Sequence, residues 1–455
     1  MRSRSNSPRA TPTASAKAGT PGRPPLAAIL LLAAACSPGG DADTESPPAT
    51  AGRGTGPAGS PAPASPPNGV EGPTIVRPGI EVLLSDSLAL VRGRRAGLVT
   101  NHTGRDRDGT PSIDLLADHP EVELVALFSP EHGIRGRAEA GVKVAGGVDE
   151  RTWLPIHSLY GSTRKPTPEM LRGIEVLLFD IQDIGTRYYT YLSTMALAME
   201  AAGEHGVDFV VLDRPNPIGG DPVQGNVLDP GFASFVGLYP IPMRHGLTAG
   251  EFARMAVGEF GVVVDLSVVV AEGWERTMSF GETGIPWIAP SPNMPSVESA
   301  LHYPGTCLFE GTPVSVGRGT ARAFQHVGAP WLDGEELAAR LIALGVPDVR
   351  FVAVRFTPED PGDGKFGGTE VGGVRLEAAG PDYDPTLAAL ALLVEIKAMS
   401  GGRWSWREGH FDRLAGTDAL RIALDAGASY GELAEGWGEG LGDYLERREG
   451  YLLYR

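Results

Sequence analysis

The chain has 455 residues, 42% of them hydrophobic, with a formal net charge of -17 and a pI near 5.0. That length exceeds one ordinary core and predicts two domains, and the acidic balance argues against a nucleic-acid partner, because phosphate binding needs basic surface. Two cysteines, Cys36 and Cys307, exclude a disulfide framework, and Cys307 reads as a small buried apolar residue.

Residues 1–36 join a basic region (Arg2, Arg4, Arg9, Lys17, Arg23) to the apolar run Leu26-Ile29-Leu30-Leu31-Leu32. An apolar stretch this short suits an export signal better than a membrane span. Its ending, Leu32-Ala33-Ala34-Ala35-Cys36, resembles a bacterial lipobox, with Ala33 where leucine is usual. The expected outcome is lipidation of Cys36 and an exported protein held in the cell envelope, touching membrane only through that anchor. Residues 37–74 are Pro, Gly, Ala, Ser and Thr with almost no large apolar residue, the composition of a disordered tether. Gly52, Gly54 and Gly56 imitate a nucleotide-binding pattern there, but no strand precedes them and no helix follows.

Between residues 75 and 250 apolar strands alternate with helical patterns, which predicts βαβ units in a mostly parallel sheet, an α/β fold. The strand-like runs Ala96-Thr100, Leu124-Ser129, Val176-Asp180 and Phe209-Asp213 each end in a dense polar burst. These are Asn101-His102, Glu131-His132, Gln182-Asp183 and Arg214-Asn216. Strand ends of a parallel sheet share one edge, so the four bursts should converge on one crevice. A helix is expected from Tyr189 to His205. Thr248 to Glu251 has the form of a capping box opening another, closed by Gly261 and followed by a strand-like run at Val262-Val263-Val264. From 251 to 455 strands mix with helices such as Glu335-Leu344 and Leu387-Lys397, capped by Asp333 and by Asp384-Pro385. This predicts a second, α+β domain.

Several clusters can carry chemistry. In Ser129-Pro130-Glu131-His132-Gly133 a carboxyl group leaves a buried strand, and desolvation there favours the neutral acid, the form that donates a proton. The plainer reading is a turn cap. The stretch Asp180-Ile181-Gln182-Asp183-Ile184-Gly185-Thr186-Arg187-Tyr188-Tyr189-Thr190-Tyr191 holds two carboxylates, an amide, an arginine and three tyrosines. Tyrosine pairs an apolar face with a hydroxyl, as sugar rings require, and Arg187 can clamp a carboxylate. Core packing of a tyrosine and a helix N-terminal role for Asp180 are the alternatives. Asp213-Arg214-Pro215-Asn216-Pro217 is a stiff, proline-bracketed turn. Arg244-His245-Gly246, Ser291-Pro292-Asn293-Met294-Pro295, Glu310-Gly311-Thr312 and Gly317-Arg318-Gly319-Thr320 are polar residues in Gly/Pro frames, each weak alone.

Taken together, Val99-Thr100-Asn101-His102-Thr103-Gly104, Ser129-Pro130-Glu131-His132-Gly133, the Phe179–Tyr191 stretch, Leu212-Asp213-Arg214-Pro215-Asn216-Pro217, Arg244-His245-Gly246 and Pro292-Asn293-Met294-Pro295 resemble a family of bacterial exo-β-N-acetylmuramidases of peptidoglycan recycling. The resemblance runs from about residue 78 to the C-terminus in family order, and it implies a Rossmann-like first domain, a smaller second domain and an active-site cleft between them. It implies hydrolysis of terminal, non-reducing β-linked N-acetylmuramic acid from muramyl saccharides, and it assigns the catalytic glutamate to Glu131. Arg187, Arg214 and Arg244 are then candidates for the lactyl carboxylate. Asn101, His102, His132, Gln182, Asp183, Tyr188, Tyr191, Asn216 and Asn293 are candidates for the rest of the sugar. A second carboxylate is expected among Asp180, Asp183 and Asp213, with Asp180 preferred. Participation by the substrate's acetamido group stays open.

No cofactor and no metal are expected: His102, His132, Asp180 and His245 lack ligand spacing. The first strand-to-helix turn carries no Gly-x-Gly-x-x-Gly run, against a dehydrogenase. Gly427-Ala428-Ser429-Tyr430-Gly431 follows no strand, against a serine hydrolase. The remaining rival is a non-catalytic cell-wall glycan-binding lipoprotein.

Overall fold

A computed structural model describes residues 75–131, 133–135, 146–438 and 440–455. The expected signal and tether, with Cys36, lie outside the described residues, as does His132. The first strands are β1 (Arg95–Thr100), β2 (Glu123–Ser129), β3 (Gly147–Val148), β4 (Pro155–Ser158), β5 (Val176–Asp180) and β6 (Asp208–Leu212). β7 (Gln224–Val227) and β8 (Pro242–Arg244) pair with each other, and β9 (Leu266–Val269) returns to the first sheet.

That sheet has the order β3-β4-β2-β1-β5-β6-β9 and is parallel throughout except where β3 meets β4. The four predicted runs coincide with β1, β2, β5 and β6 to within one residue at either end. They read as unbroken apolar segments because both faces are covered. Leu98, Leu127, Leu178 and Val210 point to the side of α1 (Gly79–Asp86) and α2 (Ser112–Asp118). Val99, Phe128, Phe179 and Val211 point to the side of α3 (Tyr191–Glu204) and α4 (Ala249–Glu259). β1 has β2 on one side and β5 on the other, so the order reverses there, and the polar bursts lie along the carboxyl edge at that switch point.

Val262-Val263-Val264 is not a strand. The backbone passes over the end of α3 so closely that a Cβ on Gly203 would lie 1.7 Å from the Val263 carbonyl oxygen. Val262 is buried there while Val263 is 81% exposed, and pairing with β6 begins only at Leu266. Tertiary packing of one valine outweighs the β-propensity of three.

The second, smaller part is α+β. β10 (His326–Ala329), β11 (Val349–Phe356) and β12 (Val371–Ala378) form an antiparallel sheet in the order β10-β12-β11. Helices α5 (Val297–Thr306), α6 (Gly334–Leu344) and α7 (Pro385–Met399) pack on it through one apolar core. Then come α8 (Glu408–Ala415), α9 (Ala419–Asp425), α10 (Tyr430–Trp437) and α11 (Leu441–Glu449). After α11 the chain runs back to the first sheet, where the Tyr454 hydroxyl donates to Asp213 at 2.7 Å. The described residues therefore form one compact unit.

Candidate active site

β2 delivers Glu131 to a cavity of about 160 Å³. Its Oε2 accepts a hydrogen bond of 3.1 Å from the Thr190 hydroxyl, just ahead of α3. The Tyr160 hydroxyl also contacts Glu131; burial, and then the charge of Glu131, push that phenol well above its usual value. Tyr160 is thus held as a donor across the working pH range. An aromatic wall follows: Tyr303 meets Tyr188 at 5.7 Å, Tyr189 at 5.8 Å and Phe324 at 4.6 Å between ring centroids. Ser291, Asn293, Glu310, Arg318 and His410 complete the polar lining. Burial lowers the His410 value, with the Glu310 charge opposing, so a neutral imidazole faces the cavity. Apolar faces with sparse, placed polar groups are what a sugar ring requires.

Arg318 and Glu310 form a pair on this lining. Arg318 Nε donates to Glu310 Oε1 at 2.7 Å, Nη2 donates to the same oxygen, and the guanidinium lies 5.1 Å above the Phe324 ring. Burial, the largest single effect, would lower the arginine, but the charge and hydrogen bond of Glu310, with smaller contributions from Tyr303 and Cys307, together raise the value.

Of the residues expected from the sequence, Glu131, Tyr188 and Asn293 line the cavity. The others on the carboxyl edge are turned to holding the loops around it. Asp180 is fully buried and accepts from Arg214 Nε at 2.6 Å, from Arg214 Nη2 at 3.1 Å and from the Ser112 hydroxyl. Both its oxygens are occupied and it lies off the lining. Arg214 also donates to the Arg105 carbonyl at 2.6 Å. Asn101 accepts from the Thr103 amide and hydroxyl, closing the turn after β1. His102 Nε2 donates to the Ala289 carbonyl at 2.8 Å, and the Tyr191 hydroxyl to the Pro290 carbonyl at 2.7 Å. Together these two tie down the loop that presents Ser291 and Asn293.

The Tyr188 hydroxyl donates to the Pro304 carbonyl inside α5. Gln182 donates to the Asp183 and Pro215 carbonyls, and Asn216 to the Leu247 carbonyl. Arg187 is fully buried and donates to four carbonyls, those of Asn226, Ile241, Leu414 and Ala415, at 2.8–3.0 Å. Arg244 is buried on Gln224 and the Ile218 carbonyl. Burial pushes both of these guanidinium groups down to about 10. Asp183 accepts from the Gly185 amide at 2.8 Å, and burial pushes it up to about 7 against that amide's pull.

Glu310, Arg318, Tyr160, Tyr303 and His410 were not among the expected site residues. Glu310 and Arg318 did carry a signal, a charged residue inside a Gly/Thr frame, but nothing in the sequence linked them to each other or to Glu131. His410 and Tyr160 carried none.

The chain matches two sequence families over most of its length. One is described as "Exo-beta-N-acetylmuramidase NamZ, N-terminal", over residues 96–298, and the other as its C-terminal counterpart, over residues 301–454. It is 44% identical over 381 residues to the peptidoglycan beta-N-acetylmuramidase NamZ of Bacillus subtilis, covering 83% of this chain and 91% of that protein. Two crystal structures of DUF1343 family proteins from Bacteroides fragilis have the same fold. One aligns with a TM-score of 0.79 at 37% identity, covering 84% of this chain and 100% of that one. The other aligns at 0.67 and 30%, covering 84% and 99%.

Proposed function

The chain belongs to the NamZ exo-β-N-acetylmuramidase family, and on that premise we propose that it removes terminal, non-reducing β-linked N-acetylmuramic acid from peptidoglycan fragments, with Glu131 as the general acid. The enzyme is a glycosidase. The observation that carries the assignment of Glu131 is its position: a carboxyl at the end of a central strand, on the lining of an aromatic-walled cavity, hydrogen-bonded to Thr190. Protonating the glycosidic oxygen turns an alkoxide leaving group into an alcohol, a contribution of roughly 10²–10⁴-fold for general acid catalysis. The tyrosine faces suit the apolar side of the pyranose. Ser291, Asn293 and His410 suit the acetamido and lactyl groups. The sequence of residues 1–36 supports export with lipidation at Cys36, so the enzyme would act in the envelope.

A chromogenic β-N-acetylmuraminide, set against the matching N-acetylglucosaminide, tests the reading. The wild type should release the chromophore from the first substrate. Glu131→Gln should cut kcat by roughly 10²-fold or more while the muramic acid still binds. A glycan-binding protein without activity would release from neither and would tolerate Glu131→Gln.

A further inference from the structure

Glycoside hydrolysis by a protein carboxyl pair needs a second carboxylate beside the acid, and the inference below rests on the hydrolase reading. Asp180 is taken by Arg214 and Ser112. Asp213 is taken by Thr248, Tyr454 and the amides of Arg214 and Gly250. Asp183 lies against the Gly185 amide, away from the cavity. Among the described residues, the carboxylates on the cavity lining are Glu131 and Glu310.

We propose that Glu310 is the second catalytic carboxylate, presented to the anomeric carbon by Arg318. Both of the arginine's hydrogen bonds go to Oε1. Among the described residues the hydrogen-bond partner of Oε2 is the Cys307 thiol, at 3.8 Å. A thiol is a weak donor, so Oε2 keeps its lone pairs for the cavity while Oε1 fixes the orientation. The turn that carries Glu310, Cys307–Gly311, follows α5 directly. It is pinned by Lys365, whose ammonium donates to the Phe309 and Val314 carbonyls at 2.8 Å each. The carboxylate is therefore held before substrate arrives, which is how charge stabilisation avoids a reorganisation cost.

In the reaction the C1–O bond breaks with its electron pair remaining on the departing oxygen, which takes the Glu131 proton. Glu310 Oε2 meets the positive charge that builds on C1 and the ring oxygen. Water supplies the hydroxyl that C1 gains, its remaining proton returns to Glu131, and Glu310 ends as the carboxylate it was at the start. Arg318 acts through Glu310 as a positioning residue.

The test uses the full chain and an aryl β-N-acetylmuraminide. Glu310→Gln, close in shape and still able to accept from Arg318, should lower kcat by roughly 10³-fold or more with muramic acid affinity kept within about threefold. Glu310→Ala with added azide should recover turnover and yield the glycosyl azide, because azide fills the vacated place beside C1. Arg318→Met should lower kcat with KM nearly unchanged, and Arg318→Lys, which keeps a charged donor for Oε1, should recover part of that loss; a purely structural contact would show no such split between kcat and KM. Turnover by Glu310→Gln within about tenfold of wild type, or a folded Glu310→Ala that forms no azide product, overturns the proposal. An inert wild type overturns the hydrolase reading instead. An active wild type with an inert Glu131→Gln and a working Glu310→Gln removes only the role given to Glu310.

Discussion

Arg187 shows how a polar side chain in a motif can serve the scaffold. It gives two hydrogen bonds to the β7–β8 region, at Asn226 and Ile241, and two to the last carbonyls of α8. The cation therefore satisfies a helix end, where the dipole is negative, and joins the strand edge to the C-terminal helices. Lysine cannot span four carbonyls with one ammonium, so Arg187→Lys should cost about 3 kcal/mol or more, read as a lowered thermal midpoint. Residual activity should keep its preference for muramic over glucosamine substrates. Asp183 supports a pH prediction. Its folded value of about 7 lies above the ordinary 3.8, so its contribution to stability is full at low pH and is lost as pH rises through 7. Asparagine mimics the neutral acid and does not titrate. The thermal midpoint of Asp183→Asn relative to wild type should rise between pH 5 and pH 8, by the equivalent of about 1–3 kcal/mol. Roles such as these were not legible in the sequence, because a dense polar motif looks the same whether its groups face a ligand or a neighbouring loop.

At the scale of elements the sequence is more transparent, because caps are local. Asp333 accepts from the Glu335 and Glu336 amides, Asp384 from those of Thr386 and Leu387, and Thr248 with Glu251 forms the expected capping box. Ser429, in the stretch that imitates a nucleophile elbow, caps α10 instead. Asp333 is on the surface and touches nothing else of consequence, so Asp333→Ala should cost about 1 kcal/mol in denaturant unfolding and leave kcat unchanged. Contacts between helices are less legible. Gly305 in α5 lies so close to α7 that a Cβ would fall 1.9 Å from the Pro385 carbonyl oxygen. Gly305→Ala must push α5 away, and with it the turn bearing Glu310. Both the thermal midpoint and kcat should fall, whereas the cap variant loses stability alone. Circular dichroism melts and the chromogenic assay on the two variants separate these outcomes.

Across the whole molecule, the last residues close the structure. Tyr454 reaches Asp213 at the end of β6, the Leu453 amide donates to Glu251, and the Arg455 carbonyl accepts from the Arg276 amide. Burial pushes Asp213 up to about 6 even with these donors. Removing residues 451–455 strips a phenolic donor from a buried carboxyl and should lower the thermal midpoint markedly, although no part of that segment lines the cavity. The parallel sheet, its four polar strand ends and the family were legible in the sequence alone, since apolar runs, turn chemistry and motif spacing are properties of neighbouring residues. Which of the polar groups share a cavity was not. Glu131 leaves β2, while Glu310 and Arg318 come from turns in the α+β part, and they meet only because α5 and the Cys307–Gly311 turn pack against the sheet's carboxyl edge. That meeting depends on side-chain packing between distant segments, where burial sends Asp180 and Arg214 to each other and leaves Glu310 beside the open space.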